Sequence, residues 1–116
     1  MVYKVMVIED DDEIRQAISS SLRQDGFNVY EANNAFDALE ALEKEDPHVI
    51  VSDYMLPGMN GESLLIQLRR QSQIPFIMIS GFSKGKDIQS PNFYYLDKPF
   101  DWDQMNQLIK KCSSSS

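Results

Sequence analysis

The sequence predicts an α/β fold in which a five-stranded parallel sheet is wound on both faces by helices, with a short or irregular fourth helix. Three observations carry this. Five short apolar runs recur along the chain, apolar stripes at helical spacing separate most of them, and only the interval between the fourth and fifth runs lacks such a stripe. Strands alternating with helices imply parallel pairing through right-handed crossovers, hence an open sheet covered on both sides.

The first strand is Tyr3 to Ile8, apolar as a doubly buried strand must be, and it runs into Glu9, Asp10, Asp11 and Asp12. Ile14, Ala17, Ile18 and Leu22 then mark a helix of about three turns, capped by Asp11 or Asp12 and stopped near Gly26. Phe27 to Glu31 is the second strand, and Ala35, Ala38, Leu39 and Leu42 stripe a second helix that begins after Asn33 or Asn34 and is broken by Pro47. The third strand, Val49 to Val51, ends at Ser52 and Asp53. A loop built on Pro57, Gly58, Asn60 and Gly61 leads to a third helix marked by Leu64, Leu65 and Leu68. Ile74 to Ile79 forms the fourth strand, ending at Ser80, and Phe93 to Leu96 the fifth. Met105, Leu108, Ile109 and Cys112 stripe a last helix capped by Asp101.

With 116 residues, 42% of them hydrophobic, the chain suits a single domain over residues 1–112, with Ser113 to Ser116 a disordered tail or an expression scar. Cys112 is alone and cannot form an internal disulfide, and nothing at the N-terminus reads as a secretory signal. No apolar run approaches the roughly 20 residues that cross a bilayer. The expected compartment is the cytoplasm, with no membrane association. A formal charge of -7 argues against this domain gripping nucleic acid by itself and suits a cation or a basic partner.

In parallel sheets of this kind, ligands bind beyond the carboxyl ends of the strands. Glu9 and Asp10 follow strand one, Asp53 ends strand three, Ser80 ends strand four and Lys98 follows strand five, so all five fall on that edge. Three neighbouring carboxylates repel one another unless a cation neutralises them, and an all-oxygen acidic set is what Mg²⁺ prefers. A carboxylate beside that metal can attack phosphorus, with Lys98 absorbing charge on the phosphoryl oxygens and Ser80 hydrogen-bonding one of them.

These residues sit in the runs VMVIEDD and DYMLPGMNG, in ISG around Ser80 and in LDKPF, which together resemble the response-regulator receiver family over nearly the whole chain. The resemblance implies a flavodoxin-like receiver fold and a two-component phosphorelay module. In it Asp53 is the phosphoacceptor, Asp10 a direct Mg²⁺ ligand, Glu9 a ligand through water, and Met55 contributes its backbone carbonyl. It further implies Ser80 as the switch hydroxyl, Lys98 as the partner of the phosphoryl group, Tyr95 as the aromatic that turns inward, and a cis bond between Lys98 and Pro99. The implied partners are a histidine kinase or histidine phosphotransfer protein as donor and a downstream protein or effector domain as reader, with a phosphorylation-dependent dimer as a further option. The protein would catalyse only its own phosphorylation and dephosphorylation.

Two features depart from the family. The interval from Ser80 to Lys98 is shorter than usual by about one helical turn, and Pro91, Asn92 and Phe93 replace the usual Gly-Ala pair before strand five. The fourth helix is therefore expected to be short, irregular or missing, which removes part of the face the family commonly uses for output.

Blander readings stand beside these. Asp11 and Asp12 are better read as helix-capping charges than as metal ligands. His48, at the start of a strand, reads as a structural or surface residue rather than a phosphodonor. The methionines are mostly core filler, although Met55, Met59 and Phe82 suggest a soft docking patch near the site. Tyr94 and Tyr95 must face opposite sides of their strand, and Cys112 is simply a small apolar residue. The competing functions are a haloacid-dehalogenase-like phosphatase, which needs an acid where Met55 stands, and a receiver-like module that binds without phosphorylation. GFSKGKD has the wrong glycine spacing for a phosphate-binding loop, and no GxGxxG follows the first strand.

Overall fold

Five strands alternate with four helices in the computed structural model, which describes residues 3–114. The order is β1 (Lys4–Ile8), α1 (Asp12–Gln24), β2 (Asn28–Ala32), α2 (Ala35–Glu45), β3 (Val49–Asp53), α3 (Gly61–Arg69), β4 (Phe76–Ser80), β5 (Phe93–Asp97) and α4 (Trp102–Ser114). All neighbours pair in parallel, in the order β2-β1-β3-β4-β5. The three central strands are buried on both faces, which is why they read as unbroken apolar runs.

Alternation along each strand divides the core in two. Met6, Ile8, Ile50, Phe76 and Met78 point to the side covered by α2 and α3. Val5, Val7, Val49, Val51, Ile77 and Ile79 point to the side covered by α1 and α4. Tyr95 packs with the first group and Tyr94 with the second, as the strand period requires.

Local chemistry sets the helix ends. Asp11 Oδ1 accepts the Ile14 N–H at 3.1 Å, Asn34 Oδ1 accepts that of Asp37 at 2.8 Å, and Asn60 Oδ1 that of Ser63 at 2.8 Å. Asp101 Oδ1 accepts the Asp103 N–H at 2.8 Å, at the start of α4. The end of α2 was not legible as a Pro stop alone: Asp46 ends it in the left-handed region, φ 46°. On α1 the buried residues are Ile18, Ser19 and Leu22, while Ala17 is exposed.

Between β4 and β5 there is no helix, only a chain of turns and bends over residues 81–92. Ile88 from this stretch packs onto the α2/α3 side of the core. Helix α4 reaches Ser114, two residues into the serine tract expected as a tail; Ser115 and Ser116 lie outside the described residues. No helix among the described residues is long and apolar enough to cross a membrane.

Candidate functional site

The carboxyl ends of β1, β3 and β4 and the residue after β5 meet at one edge of the sheet. Glu9, Asp10 and Asp53 gather there with carboxylate oxygens within 4.8 Å of one another. Glu9 is 1% exposed and Asp53 5%, whereas Asp10 is open to solvent. Lys98 reaches across from the end of β5: its Nζ donates to Glu9 Oε1 at 3.1 Å and to Asp53 Oδ2 at 3.0 Å. The other Asp53 oxygen, Oδ1, accepts the Met55 N–H at 3.3 Å.

Electrostatics follow from that crowding. Burial first, and then the charge of Asp53, push the Glu9 pKa up to about 7 against the opposing pull of Lys98. Burial alone would lower the pKa of Lys98, but its bonds to Asp53 and Glu9 outweigh this and raise it. The donor set is all oxygen, and a cation already stands on two of the three acids in the form of the Lys98 ammonium. The residues present therefore fit a hard divalent ion such as Mg²⁺.

Ser80 is fully buried at its strand end, but its Oγ donates to the Gly81 carbonyl at 3.1 Å. The Lys98 N–H donates to the Ser80 carbonyl at 2.8 Å, so the two loops are fastened by backbone. Tyr95, half-buried, donates its hydroxyl to Asp97 Oδ1 at 2.8 Å. The Lys98–Pro99 peptide bond is cis. The structure thus brings Glu9, Asp10, Asp53 and Lys98 together, sets Ser80 beside them with its hydroxyl turned to Gly81, and turns Tyr95 to Asp97. Met55 meets Asp53 through its N–H, and its side chain is 59% exposed.

Phe82 is 97% exposed near the site, but Met59 packs partly against the core, so the expected patch of Met55, Met59 and Phe82 is only partly open. Asp11 caps its helix, and His48 Nδ1 accepts the Lys4 N–H at 2.9 Å far from the acids, at the opposite end of β3.

Two contributors escaped the sequence reading. Arg15 donates to the Glu9 carbonyl at 3.0 Å while paired with Asp12 and Glu31, which braces the end of β1. Gly61 lets α3 begin directly against the site strand, because a Cβ there would lie 2.7 Å from the Asp53 carbonyl oxygen. The Asn60-Gly61 pair after Asp53 carried a hint of the second, whereas nothing local marked the first.

Residues 5–110 match the family model described as the response regulator receiver domain. The chain is 36% identical over 116 residues to the probable transcriptional regulator ycf29 of Pyropia yezoensis, covering 94% of this chain and 52% of that protein. It is 32% identical to the sensor kinase CckA of Brucella abortus, covering 92% of this chain and 12% of that one. It thus spans about half, or less, of the length of these curated relatives. Among solved structures, the receiver domain of Francisella response regulator 1452 superposes with a TM-score of 0.84 at 32% identity, covering 94% of this chain and 98% of that one.

Proposed function

Because this chain belongs to the response regulator receiver domain family of two-component systems, we propose that it accepts a phosphoryl group on Asp53 and relays that event by a change of conformation. The supporting observation is the single Lys98 ammonium that spans Glu9 Oε1 and Asp53 Oδ2 beside Asp10. It marks a strand-end carboxylate held among charges suited to phosphoryl chemistry.

On this reading Asp53 attacks the phosphorus of a phosphohistidine carried by a histidine kinase or a histidine phosphotransfer protein. The P–N bond breaks as the P–O bond to Asp53 forms, and the imidazole leaves and takes up a proton. Lys98 is then free to follow the phosphoryl oxygens, and Ser80, whose Oγ donates to the Gly81 carbonyl in this arrangement, would turn to meet one of them. Asp10, Asp53, the Met55 carbonyl and, through water, Glu9 would hold Mg²⁺, which when bound supplies charge neutralisation on the phosphoryl oxygens. A cavity of about 660 Å³ lined by Ile14, Phe82, Pro99, Phe100 and Trp102 adjoins the site at Lys98. The chain would act in the cytoplasm, where a kinase has ATP to draw on.

Met55 occupies the place where a haloacid-dehalogenase-like phosphatase needs its second acid, so nothing favours that alternative. The test is incubation with Mg²⁺ and acetyl phosphate, read by intact mass. The wild type is expected to gain one phosphoryl group and Asp53→Asn none; an unchanged wild type, also silent to beryllofluoride, would refute the assignment.

A further inference from the structure

Asp97 ends β5 one residue before Lys98, and its carboxylate accepts the Tyr95 hydroxyl at 2.8 Å. Two residues apart on a strand, the pair projects from one face. That face is the one from which the helix between β4 and β5 is missing, since Tyr95 packs there with Ile88 and Phe93 on the α2/α3 side of the core. The sheet register sets Asp97 opposite Ser80, and the Lys98 N–H bond to the Ser80 carbonyl clamps the same point.

The chain beyond Ser80 is strained. Phe82 and Ser83 adopt the left-handed region in succession, φ 56° and 57°, where non-glycine residues are rarely found. Burial and the bond to Asp97 push the Tyr95 phenol up, while the hydroxyls of Ser80 and Ser83 act against this.

We propose that Asp97 is a positioning residue of the switch: by accepting the Tyr95 hydroxyl it holds the ring in the arrangement in which Ser80 is turned to Gly81, and so opposes the movement of Ser80 toward Asp53. This rests on the reading of Asp53 as phosphoacceptor and of Ser80 and Tyr95 as the moving pair. The bond is exposed to water, so its bias is modest, about two- to tenfold in the equilibrium between the two arrangements.

The experiment compares wild type, Asp97→Asn and Asp97→Ala, each also on a Tyr95→Phe background, in beryllofluoride titrations with Mg²⁺ present. The Tyr95 ring is followed by NMR in the metal-free protein as well. Asp97→Ala is expected to lower the half-saturating beryllofluoride concentration about two- to tenfold with Tyr95 present and to have no effect on the Tyr95→Phe background. Asp97→Asn, whose amide oxygen still accepts a hydrogen bond, should stay close to wild type. The Tyr95 signal of metal-free Asp97→Ala should move toward its position in beryllofluoride-saturated wild type. An unmoved Tyr95 signal overturns the proposal. So does Asp97→Asn behaving as Asp97→Ala, which would assign the effect to charge near Lys98, and so does an effect that persists on the Tyr95→Phe background. A wild type that fails to respond to beryllofluoride removes the phosphoacceptor reading and the switching role with it, while the metal-free Tyr95 signal still reports whether Asp97 holds the ring.

Discussion

Glu9 is a carboxylate almost wholly removed from water and set against the charge of Asp53, with one ammonium for company. Its pKa of about 7 in the metal-free protein lies above its ordinary 4.5, so the folded state binds a proton that the unfolded state has already released. The stability this contributes is fully present below pH about 4.5 and is lost as pH rises through about 7. In the presence of a chelator, thermal melts between pH 5 and 8 should therefore show wild type losing stability relative to Glu9→Gln as pH rises. Parallel curves would show that Glu9 titrates normally. The four charged residues of the site were legible in the sequence because each sits at or just past a strand end, where direction and edge follow from the strand itself. Arg15 and Asp97 were not, because each acts by reaching a neighbour: Arg15 bonds the Glu9 carbonyl across a helix-strand turn, and Asp97 accepts the Tyr95 hydroxyl. Neither leaves a pattern in composition or period.

At the scale of elements, the stretch from Gly81 to Asn92 is the departure from the rest of the sheet's rhythm. Its shortness and its lack of an apolar stripe were readable; what takes the place of a helix was not, because Arg69 supplies it from α3. The half-buried guanidinium donates to the carbonyls of Ser72, Ile74, Pro91 and Asn92 and to Ser90 Oγ, at 2.8 to 3.3 Å. Asn92, left-handed at φ 55°, donates its amide to the Gln73 carbonyl at 2.9 Å. One side chain therefore ties the turn after α3 to the entry of β5 and satisfies backbone carbonyls on both sides of β4. Arg69→Ala should cost about 2–4 kcal/mol by chemical denaturation, because a multidentate charged donor is lost. Arg69→Lys should recover little of it, since an ammonium cannot span the same set of acceptors. A loss below about 0.5 kcal/mol would show that water replaces the guanidinium at no cost. A second anchor lies near the site end: Gly85, at φ 88°, leaves no room for a Cβ, which would meet the Met78 sulfur at 2.5 Å.

Across the whole molecule, an excess of negative charge, -7 in total, comes to a focus where three carboxylates share one edge. The parallel sheet was legible because short apolar runs alternate with helical stripes, and the central strands, buried on both faces, read as unbroken apolar runs. Because every strand pairs in parallel with its neighbours, all the chemistry-bearing strand ends come to the same edge. Folding thus assembles a repulsion that the unfolded chain does not have, and a cation bound only by the folded state would offset it. At Mg²⁺ one hundred times its dissociation constant, linkage adds about 2.7 kcal/mol, which for a chain of this size raises the melting temperature by roughly 10 °C. Asp10→Asn removes one ligand and one repelling charge together. It should melt higher than wild type in chelator and gain less from Mg²⁺, so that the two melting curves cross as the metal is added. A melting temperature that ignores Mg²⁺ in the wild type would mean that Lys98 alone neutralises the cluster. An Asp10→Asn variant that gains as much as wild type would take Asp10 out of the metal site while leaving Glu9 and Asp53 in it.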